Sequence, residues 1–242
     1  MKYIYDGTFD GLLTLIFDSY KFIEDIEIEK ENDQVGFFDS LYVKRDLEKA
    51  NRVKNSLIKN FSKDILGDFF KIFLSDHRKK EYIIGVCIKN IYRYGINFLS
   101  SAHEYAVAYR GILKNFSREL HSYKGLLRFR EIQDNFLLAE FSPQNDILIF
   151  LARHFLKRMP KEDFIICDDK RKKAAFCQRG RLKILDVESL SPIDSENEKF
   201  FRSAWVNFYD SVAIEERKNI GLMISNMPKK YWKYLPEKNK RL

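Results

Sequence analysis

Only three cysteines stand in 242 residues, Cys87, Cys167 and Cys177, and no two have CxxC spacing. So sparse and odd a set argues against a disulfide framework and against zinc or iron–sulfur signatures, and points to a reducing compartment, the cytoplasm. No P-loop, GxGxxG, HExxH or GxSxG occurs, so the common nucleotide loops, zinc proteases and serine hydrolases have no support, and no cofactor or metal is expected. No run approaches the roughly 18 apolar residues that cross a bilayer. The opening MKYIYDGTFDG carries acids where a signal peptide would be apolar, so no membrane association is expected. Proline is absent from Met1 to Ser142, which leaves room for long unbroken helices.

Charge and aromatics are plentiful. The net charge is +8, unevenly spread: residues 1–40 hold 3 basic and 10 acidic residues, 41–116 hold 15 and 7, and 117–242 hold 25 and 18. A basic body behind an acidic start suits a nucleic-acid or other anionic partner, although a uniformly basic proteome gives the same total.

The patterning divides the chain. Lys2–Tyr5 reads as a strand, and Thr8 is a good N-cap for a helix from Phe9 to Tyr20. Residues 21–40 look irregular, with Leu41–Lys44 a short strand. Asp46 caps a further helix and Ser62 with Lys63 opens another, followed by helices over Glu81–Phe98 and His103–His121. After Gly125 the texture changes. Leu126–Ile132 and Phe136–Phe141 form strands around a Gln133-Asp134-Asn135 turn. A helix over Gln144–Met159 follows, then strands Phe164–Cys167, Ala174–Cys177 and Leu182–Leu185. Ser191–Glu196 reads as a linker, Phe200–Ser211 as an aromatic-rich helix, and the rest as a basic, aromatic tail. The expected fold is α+β: a mainly helical part, 1–122, beside an α+β part, 123–242, or one continuous domain. The second part is expected to hold an antiparallel sheet in strand-strand-helix-strand-strand-strand order.

Three constellations could carry chemistry. In Ser117–Glu131 a helix is expected to stop at Gly125 and a strand to follow. That places Arg118 and His121 on one helical face, and Arg128 and Arg130 on one strand face. Arginine forks bind phosphate bidentately; pairing with Glu119 and Glu131 is the plainer account. At a hairpin tip, Asp168-Asp169-Lys170-Arg171-Lys172-Lys173 offers Arg171 and Lys172 to phosphates, or is simply a solvated turn. In the third, Arg217 is followed by a tail in which lysines, Lys229 and Lys230 among them, are interleaved with Tyr231, Trp232 and Tyr234. Such a tail could stack on bases, or could dock its rings in the core. His121 and His154, with Asp168 or Glu216 as carboxylate partner, are the acid–base candidates.

Together these blocks resemble a bacterial family associated with DNA metabolism and DNA repair, whose activity is unassigned. The resemblance runs through Tyr5–Leu13, Ser117-Arg118-Glu119 with His121, Gly125–Glu131, Ala152-Arg153-His154-Phe155 before Arg158-Met159-Pro160, Asp168 with Lys170–Ala175, Ile214–Asn219 and Met227–Lys233. It implies a DNA context and a radical-SAM protein as partner. In other proteins a similar domain precedes a uracil-DNA-glycosylase-like domain; here the resemblance is to the stand-alone partner. The expectation is therefore a DNA-binding protein acting with a radical-SAM partner. The alternatives are a nucleobase- or sugar-directed enzyme using His121 and His154, and a scaffold that does not touch nucleic acid.

Overall fold

The structure is a computed structural model that describes residues 1–31, 40–132, 136–188, 193–214 and 217–238. The chain divides into two compact units, Met1–Arg118 and Glu119–Leu242.

The N-terminal unit is built on strand β1 (Lys2–Tyr5) and helix α1 (Phe9–Ser19). Gly7 turns the chain between them at φ +73, a left-handed conformation that glycine adopts without strain, and a side chain there would collide with Lys30. The Thr8 hydroxyl caps α1 by accepting from Gly11 N at 3.0 Å, and donates to Asp6 at 2.7 Å. Strands β2 (Glu27–Lys30) and β3 (Ser40–Val43) pair with β1 on either side, both parallel to it. Residues 27–30 were expected to be irregular, and they form a strand instead. Their alternating acids gave no apolar period, and their pairing partner is some 25 positions away.

Helices α2 (Leu47–Asn60), α3 (Lys63–Phe73), α4 (Lys80–Tyr94) and α5 (Glu104–Leu126) follow. Asp46 accepts from the amides of Glu48 and Lys49, so it caps as read from the sequence, and Ser62, at the expected start of the next helix, accepts from that of Ile65. Helix α4 ends at Tyr94 rather than Phe98, because Gly95 takes φ +81 and its amide closes on Ile91. The core joins Leu12, Leu13, Leu15 and Ile16 to Leu57, Phe69, Ile72, Ile84 and Ile88, all essentially without exposure. Each such side chain contributes about 1.5–3 kcal/mol by leaving water.

The boundary between the units falls inside α5. The helix does not stop before Gly125, as expected, but runs through it to Leu126, and Leu127 N still bonds to Tyr123 O at 3.0 Å. Strand β4 starts only at Arg130 (Arg130–Ile132), so Arg128 lies in the connection and not on the strand. Then come β5 (Phe136–Phe141), α6 (Leu148–Arg158), β6 (Phe164–Asp168), β7 (Lys173–Gln178) and β8 (Arg181–Asp186). The C-terminal elements are α7 (Glu196–Ser211), α8 (Ile220–Asn226) and a 3₁₀ turn over Lys229–Tyr234. The Gln133-Asp134-Asn135 turn lies outside the described residues.

The strand-strand-helix-strand-strand-strand order after α5 is as expected and the fold class is α+β, but the sheet β4-β5-β6-β7-β8 is mixed, not antiparallel. Strands β5 and β6 run parallel, with Leu138 opposite Ile165 and Glu140 opposite Cys167, while the other three pairs are antiparallel. The reason is α6: a helix between two neighbouring strands returns the chain to its starting end, which makes the second strand parallel. Helix α6 buries Leu148, Leu151, Ala152 and Phe155 and contacts β6, β7 and β8. On the opposite face lie Arg130, Leu138, Glu140, Ile165 and Cys167, approached by α7 and the terminal 3₁₀ turn.

Candidate functional site

A pocket of about 170 Å³ sits on that opposite face. The sheet supplies Arg130, Leu138 and Glu140, the β4 approach supplies Arg128 and Phe129, α7 supplies Glu198 and Arg202, and the C-terminal segment supplies Lys233, Tyr234 and Pro236. Four cations therefore converge, and they are not equivalent.

Arg130 and Arg202 are fixed. Asp194 lies between them, at 2.5 Å from Arg130 and 2.8 Å from Arg202. Arg130 also meets Glu140 at 2.6 Å, and Arg202 lies 3.8 Å from Glu198, one helical turn away. Arg128 is different. It makes no hydrogen bond among the described residues; its guanidinium lies 5.3 Å from the centre of the Trp205 ring and 3.8 Å from Glu237, and its side chain is 45% exposed. Glu237 is itself buried and held by Trp205 Nε1 at 3.0 Å. Lys233 is 70% exposed and reaches Asp169 at 3.3 Å. Tyr234 donates to the same carboxylate at 2.7 Å, and burial followed by this bond pushes its hydroxyl well above the usual range.

Two buried carboxylates tie neighbouring segments of this unit together. Glu119, on α5, accepts from the amides of Gln144 and Asn145 at 2.9 and 2.8 Å, from the Asn145 side chain at 2.7 Å and from Lys230 at 3.1 Å. It thus ties the turn before α6 to the C-terminal segment. Its partners are not the neighbouring arginines. Asp168, fully buried, accepts from the amides of Lys170 and Arg171 and from the Arg171 guanidinium at 3.0 Å. Burial raises the Asp168 pKa against the opposing pull of Arg171.

The sequence-predicted residues fall into distinct settings. Arg128 and Arg130 line the pocket. Arg171 is committed to Asp168 and to the carbonyls of Pro143 and Gln144, and so holds the hairpin tip to the turn before α6. Lys172 is exposed at φ 53. Of the tail, Tyr231 is buried edge-on against Tyr123 at 4.8 Å, so this ring docks in the core. Lys230 binds Glu119 and lies over that ring, while Lys229 is exposed near Trp232, whose indole donates to Met227 O. Arg217 is exposed beside a separate hollow between α7 and α8. Arg118 is exposed and belongs to the N-terminal unit. His121 is exposed, and His154 stands on α6 beside Phe155 at 5.1 Å; neither lines the arginine pocket. Burial, then Lys124 and Arg158, lower the His154 pKa. Glu216 lies outside the described residues.

Sequence reasoning missed Trp205, Arg202, Glu140, Asp194 and Glu198. The only local signal was the Glu198–Arg202 spacing of four on a helix. The cysteines are buried, and burial pushes Cys87 and Cys167 up to about 12 and Cys177 up to about 11, which leaves them poor nucleophiles. Among the described residues no helix is long and apolar enough to cross a membrane.

These features define an α+β protein whose C-terminal unit carries a mixed five-stranded sheet, helix-covered on one face and bearing an arginine-lined pocket on the other. The chain belongs to the family named domain of unknown function DUF4130, whose model matches residues 78–237. That span holds every residue of the pocket. No curated protein matches the chain.

Proposed function

We propose that the protein binds DNA through the arginine pocket of its C-terminal unit and presents it to a radical-SAM partner in the cytoplasm. The observation that carries this reading is the contrast between Arg128 and its neighbours. Arg130 and Arg202 are fixed by Asp194, while Arg128, stacked on Trp205, 3.8 Å from Glu237 and without a hydrogen bond among the described residues, is the least committed and can turn its fork to a phosphate. Lys233 adds an exposed cation at the same mouth, and the partly exposed Trp205 offers a ring on which a base can stack. The DNA context and the radical-SAM partner rest on the resemblance of the sequence blocks.

The experiment is fluorescence anisotropy of labelled single- and double-stranded oligonucleotides over a salt series. Binding that weakens log-linearly with salt supports the reading. No binding to any nucleic acid, or binding indifferent to salt, ends it.

A partner-docking role is favoured by a separate observation. Helix α7 exposes Phe200, Phe201 and Phe208, with Val212 exposed at its C-cap, and has no buried residue. Apolar area gathered on one helix is suited to a protein contact, and the radical-SAM partner is its proposed occupant. Co-purification of the two proteins after nuclease treatment, abolished by Phe201→Ser with Phe208→Ser, tests this. Failure to associate, or association unaffected by the double variant, counts against it.

A further inference from the structure

One feature that the nucleic-acid reading leaves unused is in the N-terminal unit. A groove of about 660 Å³ opens between the end of α1, α2 and α4. Four aromatic side chains, Phe17, Tyr20, Phe22 and Tyr92, line it, and each is 37–40% exposed. None is needed to close the core, which Ile16 and Ile88 complete beneath them. The Tyr92 hydroxyl is locked to Ser56 Oγ at 2.6 Å, and Tyr92 stands edge-on to Tyr20 with ring centres 6.4 Å apart. The aromatic wall is thus held in place, with ring surface open to solvent.

The cations at this groove are unequal in the same way as those of the C-terminal pocket. Lys49 is consumed by Asp18 at 2.7 Å. The Arg52 guanidinium lies 5.4 Å from the Phe17 ring centre, and neither it nor the Lys21 ammonium has a carboxylate partner among the described residues. Asp18, the acid in the lining, is already neutralised by Lys49. The groove therefore combines open aromatic surface with two positive charges left unbalanced. Its volume falls within the ~300–1,000 Å³ of small-molecule sites, more than a single base requires.

We infer that this groove binds a nucleotide: the base against Tyr20 and Tyr92, the phosphate on Arg52 and Lys21. Stacking supplies sequence-tolerant affinity for the ring, and the guanidinium fork supplies a charge-assisted contact to the anion. A free nucleotide and one unit of a single strand share this chemistry. The site is independent of the arginine pocket and mostly precedes the family-matched span, since all its lining residues except Ile88 and Tyr92 come before residue 78.

The test is calorimetric titration of the full chain with adenosine 5′-monophosphate, with adenosine, and with a short single-stranded oligonucleotide. It is done on the wild type and on Arg52→Gln, Tyr20→Ala and Arg128→Ala. Arg52 is exposed, so its variant leaves the fold intact. Monophosphate binding that exceeds adenosine binding by about tenfold, falls to the adenosine level in Arg52→Gln and is unchanged in Arg128→Ala supports the inference with a free nucleotide as ligand. Oligonucleotide binding weakened by Arg52→Gln and Tyr20→Ala, without monophosphate binding, supports it with a strand as ligand. Equal affinity for adenosine and its monophosphate, or titrations that neither groove variant alters, overturns it. Because Arg128→Ala is read in parallel, failure of one site is distinguished from failure of the other.

Discussion

Glu119 and Lys230, 111 positions apart, meet at 3.1 Å, and the carboxylate half of the pair is almost wholly buried. This ion pair anchors the C-terminal segment three residues before Lys233, one of the two exposed cations at the mouth of the arginine pocket. Glu119→Ala leaves the Gln144 amide, the backbone and side-chain amides of buried Asn145 and the Lys230 ammonium without their acceptor, at a cost of roughly 3 kcal/mol. Chemical denaturation measures this, and a destabilisation below about 0.5 kcal/mol contradicts the anchoring role.

The same carboxylate gives a pH signature. Burial alone raises the pKa of Glu119, but the amides of Asn145 and Gln144 and the Lys230 ammonium overcome it and hold the value below the ordinary 4.5. Below 4.5 the unfolded chain then binds more protons than the native one, so the contribution is full above that pH and is lost as pH falls through the lowered native value. Thermal unfolding of Glu119→Gln is expected to show a flatter acid limb than the wild type, and parallel limbs would argue against it.

Arg171 separates a structural cation from a binding one. Its guanidinium neutralises the buried Asp168 and meets two backbone carbonyls, so Arg171→Ala costs roughly 2–4 kcal/mol. The salt slope of nucleic-acid binding is expected to stay that of the wild type. A fall in the slope with stability unchanged reverses the assignment.

Burial, and then Lys124 and Arg158, lower the pKa of His154 below its ordinary 6.5. A base with a lowered native pKa stabilises the fold less as pH falls from its ordinary 6.5 through the lowered value, because the unfolded chain takes up the proton first. Lys124→Ala moves the titration midpoint upward, followed by NMR of the ring protons. An unmoved midpoint shows that Lys124 exerts no field on the ring.

Much of the fold was legible where the signal is local. Thr8, Asp46 and Ser62 each cap a helix because a side-chain acceptor must sit beside the first free amides, and that requirement is written in adjacent residues. What was hidden is non-local. Strand β2 takes its partner from the start of the chain, and the parallel β5–β6 pairing follows from the path of α6, not from any turn composition. Gly125 was misleading because a glycine permits a helix stop without requiring one. The candidate site was half legible. Arg128 and Arg130 belong to one pocket, though not by strand alternation, since only Arg130 is on β4. Asp194 and Arg202 come from more than 60 residues downstream, and nothing local announced them.

The most direct test of the DNA-binding account is the salt dependence of oligonucleotide affinity in a variant carrying both Arg128→Ala and Lys233→Ala. Removing one cation that neutralises a phosphate is expected to lower the slope of log affinity against log salt by about one, so the double variant should show a slope smaller by about two. Its thermal unfolding should stay close to that of the wild type, since Lys233 is largely exposed and Arg128 makes no hydrogen bond among the described residues. A variant that folds normally and keeps the wild-type affinity and slope contradicts the account.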